Sequence, residues 1–311
     1  MKKIVILQTS GNDLANQLWN YISVYAYAKE KNFLLENPAF FEYGNYFTMR
    51  EENPIFRFFF FNPFTDYTKR KTAFRRKIWR KLFFWYVRIS FYFLEKSFFS
   101  YKNSENKPYY LPPTETSFGQ LQELETKNEN IYLDSWLFRN PIGIEKYRKE
   151  IKEYFKPRKD IEILVSSLAK EWRNKYKTLI GVHIRQGDYC EWRGGIYFIN
   201  PNRVREIIDE YLSIFKKNKD EILFIITSDG SVDGKIFEGL HFTVSKENAV
   251  TDLFLLASTD AIIGSNSTFG AFASYLGNIP LIIMQNTPIS WEYYSDKTKY
   301  FENEYCTMVH Y

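Results

Sequence analysis

The residues best suited to bind a charged ligand lie in one stretch, from Gly181 to Tyr189. The apolar, β-branched run of Thr178 to Ile184 predicts a buried strand, and the turn at Gln186-Gly187-Asp188 ends it. Arg185 and Asp188 are therefore expected at the carboxyl end of a strand, where open α/β sheets bind ligands. The planar guanidinium of Arg185 suits the oxygens of a phosphate. For this stretch alone, an ion pair that merely closes the turn is an equally good interpretation.

A second candidate site lies near the start of the chain. Lys3 to Leu7 predicts a strand, and Leu14 to Lys31 predicts a helix after a turn that contains Gly11. Because free N–H groups at a helix start attract anions, this unit is compatible with a phosphate. Any strand–turn–helix unit of an α/β protein has the same pattern, and the sequence alone favours that simpler interpretation.

The elements that must position these residues alternate through the rest of the chain. Before residue 157, a strand is predicted at Asn130 to Phe138 and a helix at Ile144 to Phe155. Helices are then predicted at Ile161 to Tyr176, Pro201 to Lys216, Ala249 to Ser258 and Phe269 to Leu276, and further strands at Ile222 to Thr227, His241 to Val244, Ala261 to Gly264 and Leu281 to Met284. This alternation predicts a parallel sheet with helices on both faces, so the polar turns after its strands should share one edge.

The segment from Tyr67 to Leu94 has nine basic residues and no acidic one. On a helical wheel one side is apolar, and it consists of Phe74, Ile78, Leu82, Trp85, Ile89 and Tyr92. A basic amphipathic helix with Trp and Phe has the composition of an element that binds an anionic membrane surface, here over residues 69–93. A helix packed on its own domain with a solvated basic face is an equally good interpretation.

Composition limits the class of protein. With 311 residues, 45% apolar and 25% charged, the chain has room for two folded domains, and its net charge of +5 weakly favours anionic partners. Two cysteines indicate a reducing compartment, and no apolar run is long enough for a signal peptide or a spanning helix, so a cytoplasmic protein is expected. The sequence has no P-loop, dinucleotide glycine fingerprint, Asp-x-Asp pair, zinc spacing or nucleophile elbow.

Several stretches together resemble the α-1,2-fucosyltransferase family and the wider group of inverting fucosyltransferases. The family signature His-x-Arg-x-Gly-Asp-Tyr corresponds to His183 to Tyr189, with Gln186 where a second Arg is common. The family's Gly-Asn-Gln turn corresponds to Ala15-Asn16-Gln17. The family's Gly-Tyr-Trp-Gln strand is echoed by Asp134-Ser135-Trp136-Leu137. Its Asp-Leu-x-Leu-Met-Ser helix and Asn-Ser-Thr-Phe turn match Asp252 to Ser258 and Asn266 to Phe269, after which Gly270-Ala271 replaces Trp-Trp.

The resemblance implies transfer of L-fucose from GDP-β-L-fucose to a glycan hydroxyl, and O2 of a galactose-type residue is the position expected. It implies inversion and no metal or other cofactor. Arg185 would bind the β-phosphate, Asp188 would act as or orient the general base, and His183 would be catalytic or structural. The donor-binding residues implied are Asn16, Gln17, Asp229, Asp252, Asn266, Ser267 and Thr268. As alternatives, Asp229 and Asp252 could be helix caps.

The fold implied is α/β with two facing Rossmann-like domains of the GT-B-like kind and the active site between them. We expect an acceptor-side domain at 1–157 with the basic insertion at about 67–94, and a nucleotide-sugar domain with a parallel sheet at 158–311. The expected partners are the nucleotide sugar and a glycan, free or lipid-linked, of a bacterial surface polysaccharide, with no nucleic acid. Two alternatives stay open: a transferase that uses another nucleotide sugar, and an inactive nucleotide-binding or membrane-surface protein.

Overall fold

The computed structural model of the protein describes residues 2–7, 13–49, 109–111, 131–133 and 138–295, with helical positions 78, 81, 82, 85 and 89. The turn predicted around Gly11, the stretch at 134–137 and most of the basic segment lie outside the described residues. The chain divides into two compact units, Met1–Arg158 and Lys159–Tyr311. The sequence places its domain boundary one residue earlier, between 157 and 158.

The first unit contains a four-stranded parallel sheet in the order β2-β1-β4-β3. Its strands are β1 (Lys3–Ile6), β2 (Leu34–Glu36), β3 (Tyr109–Leu111) and β4 (Ile131–Leu133). Its helices are α1 (Leu14–Lys31), α2 (Pro141–Lys146) and α3 (Arg148–Tyr154), with 3₁₀ turns at Pro38–Glu42 and Gly44–Tyr46. Helix α1 has the predicted bounds, but it is buried on most sides, including Trp19 and Tyr27.

One helix predicted for this unit needs correction. The single helix expected from Ile144 to Phe155 is two helices, because Tyr147 has non-helical angles (φ −104°, ψ 21°) and separates α2 from α3. The bend keeps the apolar side chains of both helices in the core, since Ile144 and Ile151 are both buried. Within the strand expected over 130–138, β4 confirms residues 131–133 and Phe138 is not in a strand, while 130 and 134–137 lie outside the described residues.

The second unit contains a five-stranded parallel sheet in the order β7-β6-β5-β8-β9. Its strands are β5 (Thr178–Ile184), β6 (Ile222–Ser228), β7 (Phe242–Val244), β8 (Ala261–Gly264) and β9 (Leu281–Ile283). Its helices are α4 (Lys159–Arg173), α5 (Pro201–Ile214), α6 (Ala249–Ala257), α7 (Thr268–Gly277) and α8 (Trp291–Ser295). The predicted parallel sheet is confirmed.

Helices cover both faces of this sheet because side chains along β5 alternate between them. Ile180 and Val182 belong to the core under α5, together with Ile207. On the opposite face, Leu179 packs against Trp172 of α4. Burial of each such aliphatic side chain contributes roughly 1.5–3 kcal/mol, so the central strand is held from both sides.

Capping residues define the amino-terminal ends of two helices in this unit. Asn200 caps α5 through Asn202 N–H and is followed by Pro201, whose ring is preset for a first helical position. Asn248 caps α6 by accepting from two backbone N–H groups, of Val250 and Thr251. These two asparagines therefore fix the residues at which α5 and α6 begin. Among the described residues, every helix is too short or too polar to cross a lipid bilayer.

Candidate functional site

The order of the second sheet identifies its ligand-binding edge. Numbered within the unit, the strands run 3-2-1-4-5, the order of the first five strands of a doubly wound nucleotide-binding sheet. The chain leaves β5 toward β6 on one side, whereas β8 and β9 lie on the other side. A crevice forms where the connections diverge, outside the carboxyl ends of β5 and β8. The loops that follow these two strands are 185–189 and 265–268.

Arg185 follows the last residue of β5 and is held between two carboxylates. Its Nη2 donates to Asp188 Oδ1 at 2.8 Å, its Nε donates to the same oxygen at 3.1 Å, and its Nη1 lies 3.0 Å from Asp229 Oδ2. Its side chain is 23% exposed, and its guanidinium lies over the Tyr189 ring, 5.6 Å from the centroid. The guanidinium is thus fixed in orientation while part of it remains open to a ligand.

The loops after β5 and β6 interlock around Asp229. Its Oδ1 accepts a 2.7 Å hydrogen bond from the backbone N–H of Gln186. A Cβ at Gly187 would lie 2.5 Å from Asp229 Oδ2, and one at Gly230 would overlap the side-chain amide of Gln186. The two glycines therefore allow a close approach that larger residues would prevent. Asp229 is not a helix cap; its carboxylate ties one loop to the other and orients Arg185.

The loop after β8 joins this arrangement and leads into α7. The Ser265 hydroxyl accepts from the backbone N–H of Arg185 at 3.0 Å, and the Tyr189 hydroxyl donates to the Asn266 carbonyl at 2.8 Å. Ser267 is the N-cap residue of α7, yet its side chain makes no capping bond. Its Oγ is buried and has no hydrogen-bond partner. Because a buried hydroxyl normally has a partner, this Oγ is suited to a ligand oxygen, next to helix N–H groups at Thr268 that favour anions.

His183 is placed beneath this edge rather than on it. It is the last but one residue of β5 and is 5% exposed. Its Nδ1 lies 3.1 Å from Thr227 Oγ1, and its ring stacks on that of Phe269 with centroids 4.7 Å apart. These contacts connect β5, β6 and the start of α7. They support the structural alternative for His183; a catalytic role stays a prediction.

Asp252 lies farther along the same edge, in the first turn of α6. It is 6% exposed and accepts a short hydrogen bond from the Ser245 hydroxyl, just after β7. It is not the cap of α6, because Asn248 fills that position. The alternative of a simple cap is therefore wrong, and the prediction that Asp252 binds guanine or ribose stays untested.

Asn16 and Gln17 belong to the first unit, in the first turn of α1. Gln17 is buried, and Asn16 Oδ1 is a buried acceptor without a hydrogen-bond partner. Asp13, the N-cap residue of α1, makes no side-chain capping bond. The structure thus brings together Arg185, Asp188, Asp229 and the 266–268 turn in the second unit, while the first unit presents Asn16 at a separate helix start.

Two residues at the second-unit edge were not singled out from the sequence. Ser265 fixes the backbone at Arg185, and Tyr189 links the loops after β5 and β8. Tyr189 is part of the signature motif and Ser265 adjoins Asn266, so both positions were visible as neighbours of candidates. Their roles depend on pairing between loops about 80 residues apart, which no local pattern encodes.

Comparison with known proteins identifies the family of this chain. The family model of glycosyl transferase family 11 matches residues 144–307, just over half of the chain and almost all of the second unit. No curated protein matches the chain significantly in sequence. Solved structures also share its α/β fold, among them one in complex with GDP and one soaked with GDP-fucose. A mutant of Arabidopsis thaliana FUT1 in complex with GDP is 15% identical with a TM-score of 0.52, over 90% of this chain and 70% of that one.

The second structure is the α-1,6-fucosyltransferase NodZ soaked with GDP-fucose, 17% identical with a TM-score of 0.51. The matched region covers 91% of this chain and 95% of the NodZ chain. At these identities the likeness establishes the fold, whereas the family model establishes the relationship in sequence. This chain belongs to glycosyl transferase family 11.

Proposed function

We propose that this glycosyltransferase transfers L-fucose from GDP-β-L-fucose to a glycan hydroxyl. The observation that carries the proposal is Arg185, oriented by two aspartates at the switch point of the second sheet beside the start of α7. A sugar-diphosphate donor needs positive charge and N–H groups at that position, because its leaving group is a diphosphate. The fold shared with a fucosyltransferase soaked with GDP-fucose supports fucose as the transferred sugar.

The donor phosphates would be bound without a metal. Arg185 would pair with the β-phosphate, and Ser267 Oγ and the N–H groups at the start of α7 would bind neighbouring oxygens. As the bond between fucose C1 and the β-phosphate oxygen breaks, the diphosphate gains negative charge. Groups that are already oriented stabilise this charge without reorganisation.

The acceptor hydroxyl would attack C1 from the face opposite the leaving group, which inverts the anomeric configuration. The new bond joins the acceptor oxygen to C1, GDP leaves with the bonding electrons, and the hydroxyl proton passes to a base. Asp188 is the proposed base or its orienter, because its carboxylate is 59% exposed beside Arg185. The proposed acceptor, O2 of a galactose-type residue in a surface polysaccharide, rests on the family signature at His183 to Tyr189. Two cysteines in 311 residues support a reducing, cytoplasmic setting.

A donor and acceptor screen tests the proposal. The purified chain is incubated with galactose-terminated acceptors and GDP-fucose, GDP-mannose or UDP-galactose, with and without EDTA, and products are detected by mass spectrometry. Transfer from GDP-fucose that survives EDTA, with the linkage at O2 by NMR, is expected. Transfer from another donor would favour the alternative transferase, and GDP binding without turnover would favour the inactive protein. Activity lost on chelation and restored by Mg²⁺ or Mn²⁺ would contradict the metal-free mechanism.

A further inference from the structure

Four helical positions in the basic segment of the first unit carry exposed apolar side chains. Ile78, Leu82, Trp85 and Ile89 are all helical, and their exposed fractions are 44%, 50%, 63% and 49%. These are the residues that an amphipathic helix would bury if it were packed on its own domain. In the structure these four side chains are exposed, which favours the membrane-surface interpretation over the packed helix.

On a helical wheel the four side chains share one side, here called the apolar stripe. At 100° per residue, positions 78, 82, 85 and 89 fall within an arc of about 60°. Other large apolar side chains that are exposed among the described residues, such as Ile142, Ile163 and Ile196, are separated along the chain. Single exposed apolar residues are common on protein surfaces, whereas a contiguous apolar stripe marks an interaction site.

The surrounding charge identifies the chemistry of the partner. The segment from Tyr67 to Leu94 has nine basic residues and no acidic residue, although the whole chain carries 37 acidic ones. Lys81, one position before Leu82, is itself helical and exposed. An apolar stripe that contains Trp, within a purely basic segment, is complementary to a surface with anionic head groups above an apolar layer.

The size of the stripe argues against a protein partner. A standard protein–protein interface uses about 20–30 residues a side, whereas this stripe has four among the residues that the structure describes. A helix that lies in a bilayer interface needs only a narrow apolar face, buried by about 5–10 Å. Trp85 suits that position because its ring is apolar and its N–H can stay near water.

We propose that the helical positions 78, 82, 85 and 89 dock the enzyme on an anionic phospholipid bilayer. The apolar stripe enters the interface, and the basic residues contact the head groups. This surface lies apart from the Arg185 site in sequence and would hold the enzyme where lipid-linked acceptors are present. It does not depend on which sugar the enzyme transfers.

Vesicle co-sedimentation of the full chain tests the proposal. We expect the protein to sediment with vesicles of phosphatidylglycerol and phosphatidylcholine, and not with phosphatidylcholine alone. Raising the salt to about 0.5 M, which shortens the Debye length to roughly 4 Å, should release it. No sedimentation at low salt, or equal sedimentation with neutral vesicles, would overturn the proposal.

Matched variants separate the stripe from apolar exposure in general. Leu82→Ser with Trp85→Ser should lower the partition coefficient about tenfold, because two side chains no longer enter the interface. Ile142→Ser with Ile163→Ser removes two side chains that are 81% and 58% exposed elsewhere, and it should have no effect. Equal partitioning of the two double variants would overturn the proposal.

A second pair of variants tests the charge. Changing Arg75, Arg76, Lys77, Arg80 and Lys81 to Ser should lower partitioning on the order of 50-fold if about half of them contact lipid. The control changes five exposed lysines elsewhere by the same net charge: Lys149, Lys170, Lys217, Lys235 and Lys246. Equal losses in both would show a non-specific charge effect and contradict the proposal.

Sedimentation velocity tests whether the apolar stripe binds a second copy of the chain instead of a membrane. The parent should remain monomeric at the concentrations used with vesicles. A dimer that dissociates in the Leu82→Ser, Trp85→Ser variant would assign the stripe to self-association and overturn the membrane proposal. Circular dichroism of each variant, together with fucosyl transfer to a soluble acceptor, confirms that a lost interaction is not a lost fold.

Discussion

Two arginines of the second unit, Arg185 and Arg203, each pair with two carboxylates but have different surroundings. Arg203 Nη1 donates to Glu210 at 2.7 Å and to Glu206 at 3.1 Å. Its Nε and Nη2 donate to the backbone carbonyls of Gln285 and Thr287, at 3.1 and 3.3 Å. Burial alone would lower the pKa of Arg203, but its hydrogen bonds to the two glutamates raise the pKa instead.

The difference lies in what surrounds each pair. Arg203 ties α5 to the segment after β9 through fixed carbonyls, and Glu210 accepts a further bond from Trp291 Nε1. Arg185 is held by carboxylates of two loops at the switch point, near a buried Ser267 hydroxyl that has no partner. An arginine–carboxylate cluster is therefore not a site by itself; its place on the sheet and a nearby unused hydrogen-bonding group distinguish the two.

The largest expected effect comes from exchanging each arginine for lysine. Arg185→Lys keeps the charge but loses the planar fork, so turnover should fall by on the order of 10²–10³ with little change in stability. Arg203→Lys should leave turnover near that of the parent and lower the free energy of unfolding by about 1 kcal/mol. Kinetics and thermal unfolding of both variants measure this. Near-normal turnover of folded Arg185→Lys would make the two arginines equivalent.

A smaller effect is expected from Ser267, the N-cap residue of α7, compared with Ser274 inside the helix. Ser267→Ala removes the unpartnered hydroxyl, so GDP binding should weaken about tenfold or more while stability is kept, since a hydrogen bond to a charged group is worth about 1.5–3 kcal/mol. Ser274 is its control, because its Oγ donates to the Ile279 carbonyl at 2.5 Å. Ser274→Ala should lower stability and leave GDP binding unchanged. Calorimetric titration measures GDP affinity and thermal melts measure stability. The prediction is contradicted if both variants lose GDP affinity, or if both lose only stability.

The smallest effect concerns the interlocked loops. Gly187→Ala places a Cβ 2.5 Å from Asp229 Oδ2, so that carboxylate must shift and Arg185 with it. We expect kcat to fall about three- to tenfold, because small displacements of positioned groups reduce rate. In Gly270→Ala the added Cβ meets Leu281 at an ordinary 3.6 Å.

Gly270→Ala should therefore keep the parent kcat and stabilise α7 by about 0.5–1 kcal/mol. Steady-state kinetics of the two variants, with their melting temperatures, provide the comparison. A Gly187→Ala enzyme as fast as Gly270→Ala would show that the contact between the two loops does not position Arg185.

The sequence predicted the elements that carry Arg185 because they depend on local patterns. The bounds of β5 and β8 agree with the prediction residue by residue, since buried apolar runs there end at polar turns. The break at Tyr147 was missed because the apolar spacing continues across it and only the backbone angles of one residue interrupt the helix.

The partners of the site residues were harder to predict than their positions. The bond from Gln186 N–H to Asp229 joins loops 43 residues apart, and the cap of α6 is Asn248 although Asp252 lies in the same first turn. Both outcomes depend on how neighbouring strands bring their loops together. A signature motif can thus place Arg185 at a sheet edge, but it does not specify which carboxylate orients it.

The central claim, that Arg185 binds the β-phosphate of the donor nucleotide, is tested most directly by the ratio of GDP to GMP affinity. Calorimetric titration gives this ratio for the parent, Arg185→Lys and Arg203→Lys. We expect the parent and Arg203→Lys to bind GDP at least about tenfold more tightly than GMP, because only GDP offers a β-phosphate to a charge-assisted bond. In Arg185→Lys the ratio should fall toward one. An unchanged ratio in Arg185→Lys would contradict the account.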